Sequence, residues 1–125
     1  MDVRPATETD LDLLRKLYRL FAGEIPPPAY VDFDLEQELR EVEEYVREHV
    51  ALVAEEERAV AGFALARMRG KTHGWISDVY VVPDARGSGI ATALLREVAA
   101  QLRAQGAEAI ELDVQPWNQP ARAIY

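Results

Sequence analysis

Two hydrophobic rhythms divide the chain. Leu11, Leu14, Tyr18 and Phe21 recur at helical spacing behind Thr7-Glu8-Thr9-Asp10, and Asp10 and Asp12 each stand three positions after a threonine. This pattern predicts a capped amphipathic helix from Glu8 to Ala22, with Gly23 as its stop. Val3 lies in a short apolar start, read as an edge strand ended by Pro5. Ile25-Pro26-Pro27-Pro28-Ala29-Tyr30 cannot be helical, because its prolines fix φ and lack the N–H, so a stiff extended loop is expected. Asp34 is then placed to cap a second helix carrying Leu35, Leu39, Val42 and Val46 on one face.

Beyond the second helix the rhythm changes. Val50 to Ala54, Val60 to Met68 and Trp75 to Val82 are apolar runs rich in small and β-branched residues. Glu55 to Arg58 and Gly70 to Gly74 read as the turns between them, giving an antiparallel meander. After Gly89 the helical rhythm returns in Ile90, Leu94, Val98 and Leu102, and Gly106 is placed as the cap. Ile110, Leu112 and Val114 alternate with Glu111, Asp113 and Gln115, which predicts a half-exposed strand from Glu108 to Gln115. The sequence closes with Pro116-Trp117-Asn118-Gln119-Pro120 and a short helical stretch, Ala121 to Tyr125. No repeat or linker interrupts it, so residues 1–125 read as a single domain.

Composition narrows the function classes. There is no cysteine, so neither a disulfide framework nor a thiolate site is available. Only two histidines occur, His49 and His73, and no metal is expected. No run approaches the ~20 apolar residues of a membrane span, and the N-terminus lacks a signal-peptide core, so a cytoplasmic setting is expected. The net charge of −8 argues against nucleic acid as a partner. Twelve acidic residues but only two basic ones, Arg40 and Arg47, fall between Glu24 and Glu57. That stretch reads either as a solvated helix face or as a negative rim that draws in cationic substrates such as amines.

The chemistry concentrates in Pro83-Asp84-Ala85-Arg86-Gly87-Ser88-Gly89, between an apolar run and a helix. The first amides of a helix lack internal partners and the helix dipole is positive there, so this turn reads as a cradle for phosphate. Gly87 and Gly89 allow close backbone approach, and Arg86 can add a charge-assisted contact. A dinucleotide fingerprint would need a third glycine where Thr92 stands, after a strand that opens a βαβ unit. Gly70-Lys71-Thr72 mimics the end of a P-loop, but Leu65 replaces its first glycine.

Arg86-x-x-Gly89-x-Ala91, following a strand and Pro83, resembles the acetyl-CoA signature of the GNAT superfamily of N-acetyltransferases. The run Asp78 to Ala91 is similar to that family's fourth strand and loop almost throughout. Asn118-x-x-Ala121-x-x-x-Tyr125 resembles its second signature, and Val3-Arg4-Pro5-Ala6-Thr7-x-x-Asp10 resembles its opening strand and helix cap. Gly62 also matches a frequent family position. The resemblance implies an α/β fold: a mixed, mostly antiparallel sheet with helices on both faces and splayed fourth and fifth strands. It further implies that acetyl-CoA is held by Arg86, Gly87, Ser88, Gly89, Ile90 and Ala91, by Asn118, and by strand-like pairing with the backbone of Tyr80, Val81 and Val82. An acetyl group would pass directly to a primary amine of a small molecule or a lysine-bearing protein.

In that scheme Tyr125 takes the place of the general acid. Asp78 is the nearest match to the base, with Glu111 and Asp113 behind it. By strand parity Asp78 shares a face with Tyr80, and Ser77 lies opposite. His73 is read as a turn residue, and Trp75 and Trp117 as packing residues. Tyr30 is expected to line the acceptor site, since the family selects acceptors with its first two helices and the loop between them. Relatives usually continue past the tyrosine with two further strands. The resemblance therefore implies a truncation at Tyr125, and an open fifth-strand edge that favours homodimers. The alternative reading is a non-catalytic acyl-CoA-binding domain of the same fold, and a nucleotide-binding domain is a more distant one.

Overall fold

The computed structural model describes residues 1–24 and 34–112. The expectations for Tyr30, Asp113, Trp117, Asn118 and Tyr125 lie outside the described residues. Among those described, five strands form one sheet in the order β1-β2-β3-β4-β5. They are β1 (Asp2–Pro5), β2 (Val50–Glu56), β3 (Ala59–Met68), β4 (His73–Val81) and β5 (Ala109–Leu112). The first four pair antiparallel, β2 to β4 as the meander predicts, and β5 runs parallel to β4 from His73↔Ala109 to Ile76↔Leu112. Helices α1 (Leu11–Glu24) and α2 (Leu35–Glu48) cover one face and α3 (Ile90–Ala104) the other. Alternating strand residues serve both layers. Val50, Leu52 and Ala54 pack toward α3, whereas Ala51 and Val53 pack toward α1 and α2.

The ends of the elements follow from local chemistry. The Asp10 carboxylate accepts from the Thr7 amide (2.8 Å), which starts a single 3₁₀ turn (Glu8–Asp10) ahead of α1. Arg4 grips the same carboxylate with both terminal nitrogens, at 2.8 and 2.9 Å, and its Nε contacts Glu55, so β1, β2 and the helix start are pinned together. This pairing holds the Asp10 carboxyl at about 2, below its ordinary 3.8. Asp34 caps α2 by accepting from Glu36 N (3.1 Å) and Gln37 N (3.3 Å). Gly106, at φ +108°, closes α3 in a Schellman arrangement, with Ala107 N bonded to Leu102 O (3.0 Å).

Three local expectations are corrected. Gly23 does not stop α1, which runs on to Glu24; its φ is not left-handed, so it does not form the usual glycine cap. The first hairpin turn is tighter than Glu55 to Arg58. It is Glu57-Arg58, both at positive φ (51° and 69°), the handedness that suits a two-residue connection between twisted strands. His73 opens β4 rather than lying in the turn, and its Nε2 meets Glu111 Oε2 on β5 at 3.0 Å. On α2, Leu35, Leu39, Val42 and Val46 share one face as expected, and Tyr45 is buried beside them.

Candidate functional site

Val82 leads from β4 into a second 3₁₀ turn, Pro83–Ala85, and the chain then makes the glycine turn. Gly87 (φ +84°) and Gly89 (φ +86°) both adopt the left-handed conformation, which costs a side-chain-bearing residue about 1–2 kcal/mol. An added Cβ at either position would meet nothing within 4 Å, so the turn faces open space. The Ser88 hydroxyl donates to Ala85 O (2.6 Å) and braces it. Among the described residues, the amides of Gly87 and of Gly89 to Thr92 have no partner; the first to close a helical bond is Ala93, on Gly89 O (3.0 Å). No acidic residue stands in the first turn of α3, and Gly89 offers no side-chain cap. The result is a set of bare amide donors at the positive end of a 15-residue helix. Ile90, fully buried, anchors it.

The end of β4 supplies a second feature. Val82 N donates to Ala61 O (2.8 Å), so the peptide groups of Val82, and of Tyr80 two residues earlier, turn toward β3. Val81 pairs with Gly62 between them, and its N–H and C=O therefore turn to the β5 side of the strand. Gly62 has no alternative here, because a Cβ would lie 2.6 Å from Tyr80 O.

Asp78 shares a face with Tyr80, as parity predicts, but Ser77 does not lie opposite. The register steps from Leu65↔Asp78 to Ala66↔Ile76, which leaves Ser77 as an extra residue in β4. A bulge of this kind breaks the two-residue alternation. Ser77 consequently hydrogen-bonds Tyr45 of α2, and its Oγ lies 3.0 Å from Asp78 Oδ2. The Tyr18 hydroxyl donates to Glu38 Oε2 at 3.2 Å. Burial first, then the negative charge of Asp78 and Glu38, pushes the Tyr18 phenol far up; burial also raises that of Tyr45. Asp78 thus sits on the α1–α2 face in a negative field lined by two tyrosines.

Arg86 is drawn to that same face. Its Nε donates to Val81 O (3.0 Å), its Nη2 meets Glu24 Oε1 (2.5 Å), and its guanidinium lies 5.7 Å from the Tyr80 ring. The Tyr80 hydroxyl donates to the other Glu24 oxygen at 3.1 Å. In the sequence Glu24 is one acid among twelve; nothing local distinguishes it. Glu111 lies at the opposite end of β4, paired with Trp75 and far from the glycine turn. Trp75 is a packing residue as expected, with the Arg69 guanidinium 3.7 Å over its ring.

The architecture and the turn can be matched against known proteins. A model of the acetyltransferase (GNAT) family matches residues 13–125. The chain belongs to that family. Solved structures share its GNAT fold. The aminoglycoside N-acetyltransferase AAC(6')-Iy, in complex with CoA, superposes with a TM-score of 0.79 at 21% identity, over 98% of this chain and 82% of that one. The ribosomal-protein-alanine N-acetyltransferase from Brucella melitensis biovar Abortus 2308 gives 0.78 at 21% identity, over 99% and 87%. Aminoglycoside antibiotic 6'-N-acetyltransferase AAC(6')-IG from Acinetobacter haemolyticus gives the same TM-score and identity, over 99% and 86%. At these identities the likeness establishes the fold. Among the described residues, no helix is long and apolar enough to cross a membrane.

Proposed function

We propose that this GNAT protein transfers the acetyl group of acetyl-CoA directly to a primary amine. The carrying observation is the glycine turn: open left-handed glycines and bare amides at the start of α3, beside a strand end whose Val81 N–H faces the β5 side. Two solved structures of the same fold are described as holding CoA or a CoA bisubstrate analogue. The donor set fits such a ligand, because a pyrophosphate needs several convergent N–H groups and the turn offers them. Ser88 and Ile90 hold the turn in shape. Acetyl-CoA, when bound, supplies the thioester carbonyl that the amine attacks.

The chain's own residues then divide the work. The Val81 N–H is the donor for the developing oxyanion. Asp78, on the α1–α2 face, takes the proton of the incoming amine, and Tyr125 returns one to the departing thiolate. Asn118 assists in holding the co-substrate and Tyr30 lines the acceptor side. The acceptor is a small-molecule amine or a lysine side chain, since the field around Glu38, Glu41 and Asp78 favours a cation. A cytoplasmic setting fits a chain without cysteine. Calorimetric titration with CoA, ATP and NAD tests the reading: saturable binding of CoA alone is expected, and binding of ATP or NAD without CoA would overturn it. Tyr125→Phe should slow transfer while CoA affinity stays near wild type; equal loss of both would make the tyrosine structural.

A further inference from the structure

Three elements far apart in the sequence meet at Glu24. It is the last residue of α1, one of its carboxylate oxygens holds Arg86 of the glycine turn, and the other accepts from Tyr80 of β4. Arg86 in turn spends its Nε on the carbonyl of Val81. The guanidinium therefore lies on the α1 side of the sheet, whereas the bare amides lead into α3 on the opposite side. Such an arginine fixes the path of the chain between Val81 and Gly87 and leaves the phosphate-facing side to the backbone. It also occupies the Val81 carbonyl, so that the N–H of the same residue is the group turned to the β5 side that a ligand carbonyl can use.

We propose that Glu24 is a positioning residue for the co-substrate turn, acting through Arg86. This rests on the acetyl-CoA reading. The Glu24–Arg86 pair is partly exposed, with side chains 28% and 37% accessible, so its effect is modest. Glu24→Gln removes the charge and frees the guanidinium, and the turn samples more conformations before it binds.

The test is a double-mutant cycle read by calorimetric CoA affinity and by steady-state kinetics. Glu24→Gln and Arg86→Gln should each weaken CoA by about threefold to fivefold, the range of an exposed ion pair. Glutamine at position 86 keeps the turn signature. The double variant should be no weaker than Arg86→Gln alone, because the two act as one unit. KM for acetyl-CoA should rise with kcat unchanged within twofold, and Glu24→Asp should restore most of the affinity. Tyr80→Phe, which removes only the hydroxyl partner of Glu24 and keeps the Glu24–Arg86 pair, should weaken CoA less than Glu24→Gln does. An unchanged affinity in Glu24→Gln, multiplying effects in the double variant, or an equal loss in Tyr80→Phe would each overturn the proposal. Wild-type protein that binds no CoA would overturn the acetyl-CoA reading and this proposal with it. Wild-type binding with an unaffected Glu24→Gln overturns this proposal alone.

Discussion

Three glycines in this chain provide an internal control for the ligand turn. Gly70, Gly87 and Gly89 all hold left-handed φ (+103°, +84° and +86°), and a Cβ at each would meet nothing within 4 Å. Substitution by alanine therefore costs backbone strain without steric clash. That strain is about 1–2 kcal/mol, or about 4–8 °C in Tm for a domain of this size. Gly70 lies in the turn between β3 and β4, at the opposite end of β4 from Val81. Gly70→Ala and Gly89→Ala should thus lose similar stability. Only Gly89→Ala adds a methyl group to, and strains, the turn that carries the bare amides. Losing even one charge-assisted amide–phosphate bond there should weaken CoA by about 10-fold to 100-fold. Thermal unfolding and CoA calorimetry on both variants decide the matter. Equal CoA affinity in the two variants would refute the assignment of the turn as the phosphate cradle.

Asp10→Asn should remove a pH-dependent part of the stability. The carboxyl is held at about 2 in the fold, so its contribution, about 2 kcal/mol at neutral pH, is complete above its ordinary 3.8 and lost as pH falls through 2. The difference in unfolding free energy between wild type and variant should therefore be flat above about pH 5 and roughly halved near pH 3, measured by urea unfolding; a constant difference over that range would exclude the Arg4 pairing as its source. Gly62→Ala should force β3 from β4 at Tyr80 O, where the added Cβ would lie at 2.6 Å, with a loss of about 1–3 kcal/mol. Because Val81 sits directly opposite, its acetyl-CoA KM should rise as well, and a variant with wild-type stability and KM would show that the strand pair adapts.

Much of this architecture is legible from periodicity. The four residues that define the face of α3, Ile90, Leu94, Val98 and Leu102, are the four it buries most completely. The meander, the Asp34 cap, the Gly106 cap and the glycine turn follow from side-chain chemistry that acts within a few residues. What escaped the sequence is nonlocal. The bulge at Ser77 exists only because β4 pairs with β3 out of step, and it brings a serine to the face where alternation puts none. The direction of the Val81 peptide depends on the same pairing. Glu24 meets Arg86 and Tyr80 only once α1 is laid across the sheet. Gly23 was misleading for a simpler reason, since a glycine stops a helix only where the chain needs left-handed φ.

Thiol release from acetyl-CoA across a panel of primary amines is the measurement that decides whether the protein carries out direct acetyl transfer. Release should depend on the amine and equal the acetylated amine formed, mole for mole. CoA binding without acetylation of any amine would contradict it and leave a protein that binds the co-substrate without using it.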